Sequence, residues 1–290
     1  MTGAESVSVT VPALETVVRR VDDVSSLPHV ALRVMEIAQD PNSGAADLKE
    51  AMESDAALSA RVLRCVNSSA YALRTKITNL QQAIAYLGLK QIRNLAMTAS
   101  VSELFRKNET IGAYCREDLW RHLVSVGIAA RLIAMRRGMP NFEDMFLAGL
   151  LHDLGIILED QHAHGAFREM ILTLDGRRTL AEAERAALGF DHTRLGEKIG
   201  ELWGFPPAVR ASIRHHHTSA TYRGEEIDTV RCVEVANMIC TLKGITSVGH
   251  KLVVLSAPAV AGLGLSREDL AVLATDLDEE LRRHASLFEV

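Results

Sequence analysis

Cysteine is scarce in this 290-residue chain. The four cysteines, Cys65, Cys115, Cys232 and Cys240, form no Cys-x-x-Cys pair. That argues against a thiolate zinc knuckle or a dithiol redox motif, and the sparse usage suits a reducing cytosol. Basic blocks are missing too. Net charge is −5; residues 1–110 carry 12 Lys/Arg and 12 Asp/Glu, and the remainder carries 20 and 25. The acidity therefore lies in the second part, and nucleic acid is not expected as a main partner. The opening MTGAESVSVTVPALE has neither the cationic start nor the apolar core of a secretion signal. The longest apolar run, LVVLSAPAVAGLGL (252–265), is short and broken by Pro258 and two glycines, so no membrane insertion is expected. These absences describe a soluble, cytoplasmic protein.

Strand-like alternation is nearly absent as well, and the periodicity is helical almost throughout. LPHVALRVMEIAQD places apolar residues at 27, 31, 34, 35 and 38 on one helix face, with Pro28 at the start and Pro41 past the end. Ser43 can cap a short helix at 44–52. Asp55 to Val66 gives another, with Leu58, Val62, Leu63 and Val66 on one side. NLQQAIAYLG opens on a capping Asn79 and closes at Gly88. A long helix is expected from about 89 to 105. After the polar RKNETIG (106–112) come EDLWRHLVSVGIAARLIAMRRG and then FEDMFLAGLLHDLGIILED, and further helices near 163–174, 179–187, 191–203, 206–217 and 228–243. LVVLSAPAV fits a helix in this company. The last helix, SREDLAVLATDLDEELRRHA, begins with a capping Ser266 and an acidic first turn. The expected fold is all-α, with many short helices in two lobes.

The chemistry lies in the histidines. His122 shares the apolar face of Leu119, Leu123, Val126 and Ala130, and His192 shares that of Leu195, Gly196, Ile199 and Leu202. His152-Asp153 follows the apolar FLAGLL, and His215, His216 and His217 end a helix carrying Val209 and Ile213. A polar group on a buried face costs about 1–3 kcal/mol unless it finds a partner. Taken singly, each is a core histidine bonded to a backbone carbonyl. Four such segments in one lobe point instead to a shared site. Neutral imidazole and carboxylate together suit Fe, Mn, Zn or Ni. Adjacent helical residues point about 100° apart, so His152 and Asp153 could serve one metal only near its flank, or bridge two.

The order His122, His152-Asp153, His192, His216-His217 resembles that of the HD superfamily of metal-dependent phosphohydrolases. The surrounding text is similar to a narrower branch, the HDOD (HD-related output) domain. LPHVALRVMEIAQD, DAALSARVLRCVNSSAY and TNLQQAIAYLGLKQIRNLAM resemble its N-terminal lobe. LAGLLHDLGI, Gly189 with DHTRLGEKIGELWGFP, and the HHH end resemble its second lobe. The resemblance runs from about residue 21 to about 240. It implies a tail at 1–20, an N-terminal helical lobe at 21–110, an HD-like lobe at 111–245 and a helical extension at 246–290. It also implies bacterial signal transduction, usually without demonstrated catalysis. Against the related HD-GYP phosphodiesterases, His122, His152, Asp153, His192, His216 and His217 fall on metal-ligand positions. Asp118, four residues before His122, falls on an acidic one. The expected lysine is Ile156, the last aspartate ligand is Asn237, and the Gly-Tyr-Pro segment is replaced by HHHTSATYRGEEID. Asn237 can offer a carbonyl oxygen but no charge, so one divalent ion is expected more readily than two. Ile156 removes a cation that would stabilise phosphate charge.

The expectation is thus a non-catalytic signalling module with a retained metal or nucleotide pocket. It would act through contacts with signalling proteins, and by family analogy a cyclic dinucleotide could be its ligand. The alternative is a metal-dependent phosphohydrolase with an altered site. Residues 1–20 leave no room for a receiver or cyclase-like segment, so the input is expected from another protein or a small ligand. A third reading takes the two helices of LKEAMESDAALSARVLRCV as a DNA-reading helix-turn-helix, but the lobe's zero formal charge counts against it. Arg61, Arg64, Arg74 and Lys76 fit a solvated face, Trp120 and Trp203 fit the core, and Glu182 and Glu184 fit a helix surface, with a carboxylate near the site as the other reading of that pair.

Overall fold

A computed structural model describes residues 11–24, 27–40, 42–71, 73–253 and 256–289. The chain is helical in both lobes. The described strand pairing is one short antiparallel pair, Thr110–Ile111 with Tyr114–Cys115, sitting where the polar connector was expected.

The N-terminal lobe contains α2 (His29–Gln39), α3 (Ala45–Glu53), α4 (Ala56–Val66), α5 (Leu80–Leu87) and α6 (Leu89–Val101). Side chains written into the sequence set several of their ends. Asp55 accepts from the Leu58 amide, and Asn79 accepts from the Gln82 amide, each at 2.9 Å. Gly88, with φ +84°, lets α5 turn directly into α6. Ser43 does not cap α3; its hydroxyl turns back to Asp40, and Gly44 takes the cap position, its amide donating to Asp47. The helix expected over 89–105 ends at Val101 and tightens into a 3-10 turn at Ser102–Phe105. From Ile92 to Val101 every residue of α6 is buried, because α6 packs on α2 and α4 and also on a helix of the second lobe.

The second lobe is built on α7 (Arg116–Arg136), with α8 (Phe142–Leu151), α9 (Leu154–His162), α10 (His164–Leu172), α11 (Leu180–Leu188), α12 (His192–Leu202), α13 (Pro207–His215) and α14 (Ile227–Leu242). α15 (Ala257–Gly262) packs on α14, and α16 (Arg267–Arg283), opened by the expected Ser266 capping box, returns to α7. Of LVVLSAPAV, residues 252–253 are not helical, 254–255 lie outside the described residues, and α15 begins at Ala257. The N-terminal helix α1 (Leu14–Val24) crosses the expected boundary at residue 20 and packs on α9 and α12 of the second lobe. The two lobes are joined by a polar staple: Asn94 donates to both the carbonyl and the carboxylate of Glu143 at 2.8 Å, and Asp144 receives Arg93 at 2.9 Å and Lys90 at 2.7 Å.

Two close backbone approaches position the site. α7 crosses α8 at Gly127 and Gly149, where a Cβ on Gly149 would sit 2.8 Å from the Gly127 Cα. Gly155 packs against the His192 backbone so tightly that a Cβ would collide with the His192 carbonyl oxygen.

Candidate metal centre

FEDMFLAGLLHDLGIILED does not form one helix. It breaks at His152 and Asp153, which stand between α8 and α9 as the last cap of one and the first of the other. The break removes the 100° divergence of a continuous helix, and both side chains turn into the lobe. The close packing of Gly155 on α12 holds the junction there.

Asp153 is the centre of the cluster. Its Oδ2 lies 3.3 Å from His152 Nε2 and 3.6 Å from His122 Nε2. Its Oδ1 lies 3.1 Å from His216 Nε2 and 3.4 Å from His192 Nε2. His217, exposed at the mouth, brings its Nε2 to 3.1 Å from that of His192. Two donor sets therefore share Asp153: His122 and His152 on one side, and His192, His216 and His217 on the other, each set with its ligand atoms within 4.8 Å of one another. The six residues singled out in the sequence are brought together.

The far side of each buried ring is fixed. His122 Nδ1 faces the Ile245 carbonyl at 2.9 Å and His152 Nδ1 that of Gly149 at 2.7 Å. His216 Nδ1 faces those of Ser212 and Ile213 at 3.0 Å. A carbonyl only accepts, so in these three rings Nδ1 carries the proton and Nε2 presents a lone pair to Asp153. This is how proteins orient histidine for a metal. Among the described residues, His122, His152 and His216 Nε2 and Asp153 Oδ1 have no hydrogen-bond partner although buried. Orphaned lone pairs around one carboxylate fit a divalent ion of the transition series.

The electrostatics agree. Burial, reinforced by the neighbouring imidazoles, pushes His122 and His216 down to about 4, so both are neutral at pH 7. Burial alone would raise Asp153, but a proton on any imidazole nitrogen facing it, on His152 first and then on His216 or His192, outweighs burial and holds the carboxyl well below its usual range. His192 differs. Burial opposes its charge, yet the Glu184 carboxylate against its Nδ1, at 2.6 Å, and then Asp153 carry it up to about 9.

Glu184 is not on a helix surface. It is fully buried on α11 and accepts from both Nδ1 and the backbone amide of His192. Gly189, left-handed at φ +81°, closes α11, and Asp191 caps α12 by accepting from the Arg194 amide. Behind Glu184 stands Glu159, also fully buried, with neither carboxyl oxygen bonded. Burial first, and Glu184 second, push its carboxyl well above the usual range. Glu182 stays exposed and completes the Thr179 capping box.

Asp118 does not join the cluster. It lies exposed in the first turn of α7, one turn too close to the helix end, where with Glu117 it complements the helix dipole. Ile156 is fully buried in the core, away from the cavity wall. Asn237 is buried on α14, accepts from the Thr241 hydroxyl at 3.2 Å, and lines a cavity of about 380 Å³ that also reaches Asp153, His216 and His217. Glu234, one turn before it, lines the same cavity. Two arginines in the wall are already paired, Arg185 with Asp191 and Arg214 with Glu197. The segment after α14 supplies the remaining wall, including Val248, His250 and Leu252, and Gly249 anchors it against the Ala113 carbonyl.

The fold is all-helical and two-lobed, with five histidines gathered around the aspartate of one His-Asp pair. The profile of the HDOD domain matches residues 24–219, and the chain belongs to that family. The chain is 24% identical over 229 residues to an uncharacterised protein of Treponema pallidum (strain Nichols), which is 76% of this chain and 42% of that protein. It therefore spans less than half the length of that relative. Among solved structures it resembles an HDOD domain protein of unknown function from Geobacter sulfurreducens. That match has 26% identity and a TM-score of 0.75, covering 94% of this chain and 97% of that one. A Marinobacter aquaeolei VT8 protein named for signal transduction shares 24% identity at a TM-score of 0.75, over 97% of this chain and 66% of that one. Among the described residues no helix is long and apolar enough to cross a membrane.

Proposed function

We propose that the chain is a cytoplasmic signal-transduction module that holds one divalent transition metal in its second lobe and acts through contacts with partner proteins rather than by turnover. The observation that carries the metal is the set of buried Nε2 lone pairs converging on Asp153 with every Nδ1 fixed behind them. His152, Asp153 and His122 would hold the ion from one side, with His192 and His216 closing the cage and His217 or the Asn237 oxygen at its mouth. When bound, such an ion polarises oxygen ligands and lowers the pKa of bound water. The residues around it do little to use that. The α9 position that would bring a cation is the buried Ile156, Asn237 adds no charge, and Arg185 and Arg214 are neutralised by carboxylates. The cavity beside the cage would then hold a ligand that is sensed rather than turned over, a nucleotide by analogy with the family alone. The relatives' family and the signal-transduction name of the Marinobacter aquaeolei VT8 protein support the same reading.

One observation favours a second reading, an altered metal-dependent phosphohydrolase: Asp153, His216 and His217 open onto a cavity of about 380 Å³ rather than being sealed in the core. Elemental analysis of purified protein, followed by assays on cyclic dinucleotides and phosphomonoesters, separates the two. Near-stoichiometric metal without turnover is the expected result. Metal-dependent turnover that disappears in His152→Ala would replace the first reading with the second, and absence of metal beside a chelator-treated control would remove both.

A further inference from the structure

A second cavity, of about 290 Å³, lies where the N-terminal lobe meets α7 and the C-terminal turn. Its wall brings together Arg61 and Arg64 of α4, Arg106, Trp120 of α7, and Leu287 and Glu289 beyond α16. The sequence suggests a solvated face for Arg61 and Arg64; Arg64 is exposed, Arg61 is half-buried, and both line this cleft.

The charges there do not balance. Glu103 is bridged by Arg61 at 2.6 Å and Arg106 at 2.8 Å, so one carboxylate serves two guanidiniums. Arg64 has no ion pair among the described residues, and the Arg61 Nε is buried without an acceptor. Glu289 lies at the rim, leaving three cations against two anions among the described side chains. Trp120 is only 1% exposed, and its indole N–H also has no acceptor. Buried donors are nearly always bonded, and leaving one unpaired costs about 1–3 kcal/mol. A basic cleft whose buried donors lack acceptors calls for an oxyanion, and the planar guanidinium fork matches phosphate bidentately. Cys65, Ala99 and Leu287 give the cleft an apolar side, and the volume exceeds what a bare ion needs.

We infer that this cleft is a binding site for a small phosphomonoester with an apolar body, separate from the metal centre. Such a ligand would touch the N-terminal lobe, α7 and the C-terminal turn at once. Trp120 lies two residues from His122 on α7, so the two sites share one helix.

The test uses the full chain with Trp203→Phe, which leaves Trp120 as the single tryptophan. Its emission is followed during titration with phenyl phosphate, inorganic phosphate and phenol. Saturable change is expected with phenyl phosphate and, more weakly, with phosphate, and none with phenol. Arg64→Ala, an exposed side chain without an ion pair, should raise half-saturation about tenfold or more, the size of one lost charge-assisted bond. Asp153→Asn should leave it within about twofold. A flat titration, an equal response to phenol, or a response unchanged by Arg64→Ala would each overturn the inference. So would loss of the response in Asp153→Asn, which would move the ligand to the metal pocket. None of these outcomes bears on whether the histidine cage holds a metal.

Discussion

The two lobes bury different chemistry. Among the described residues, the N-terminal lobe buries no carboxylate and no histidine; its buried polar groups are Arg93, Asn94, Thr98, Ser100 and Ser102, all on the α6 segment that meets the second lobe. The second lobe buries His122, His152, Asp153, Glu159, Asp160, Glu184, Asp191, His192, His216 and Glu234. One of these carboxylates, Asp160, is fully bonded within the fold, by Arg116, the Tyr114 hydroxyl and His164. The groups around Asp153 are not satisfied, and that difference is what separates a folding network from a ligand site. The first region buries polar groups only where it docks on the second, while the second keeps a set of lone pairs pointed at one place.

The sharpest break in that comparison is Asp153→Asn. It removes the one negative charge all the imidazoles face, so metal affinity should fall by more than the 10–100-fold typical of an outer-shell loss. Metal-binding calorimetry against wild type reads this directly. Retention of wild-type affinity would show that Asp153 is a structural acid like Asp160.

The pH response should also single out the second lobe. His122 and His216 sit at about 4 in the fold against 6.5 when free. Between those values the unfolded chain binds the extra protons, so the metal-free protein should lose stability as pH falls from 6.5 toward 4. His192, raised to about 9, acts oppositely: its contribution is complete below 6.5 and is lost as pH rises through 9. Urea midpoints of chelator-treated protein should therefore fall on both sides of neutrality. A midpoint flat from pH 4 to 6.5 would contradict the neutral, buried state of the two rings.

Next in size is Gly155→Ala. Its methyl would meet the His192 carbonyl, backbone that cannot swing away. Overpacking of this kind costs about 1–3 kcal/mol, and metal affinity should fall with stability because α9 and α12 carry ligands from both donor sets. A variant that loses stability but keeps its affinity would separate helix packing from the cage. Glu184→Gln is milder. It keeps an acceptor near His192 Nδ1 but removes the charge, and a 10–100-fold loss of metal affinity is expected with the fold intact. An unchanged affinity would leave Glu184 as a buried acid with no part in orienting the ring.

The sequence made the helices and the candidate ligands readable for the same reason: both follow from which face of a helix is buried. His122 and His192 announced themselves by sharing a stripe with leucines, and Asp55, Asn79 and Ser266 marked helix starts through their own capping bonds. What stayed hidden depends on contacts between elements distant in the chain. Nothing local marks the break at His152-Asp153, which is enforced by Gly155 packing on α12. Glu184 reads as one of two glutamates in a helical turn, and only the left-handed Gly189 that folds α11 back toward α12 distinguishes it from Glu182. Asp118 erred the other way: its i, i+4 spacing to His122 is right, but the helix begins too near the surface for that turn to be buried. Arg64 is exposed, as its sequence context suggests, but the cleft that half-buries Arg61 is completed by residues more than two hundred positions later.

The smallest effect tests whether the lobes are energetically separate. Asn79→Ala removes a helix cap in the N-terminal lobe, far in sequence from any ligand, and should cost about 1 kcal/mol. For a chain of this size that is a fall of roughly 2–4 °C in melting temperature. Metal affinity should not change, because the bond lost, to the Gln82 amide, lies wholly within one lobe. The staple of Asn94, Arg93 and Lys90 on Glu143 and Asp144 is the route by which it could change. If Asn79→Ala weakens metal binding, a double mutant with Asn94→Ala should show the two losses to be non-additive. The N-terminal lobe would then be transmitting its state to the cage through that joint. If affinity holds, the lobes fold together but bind independently.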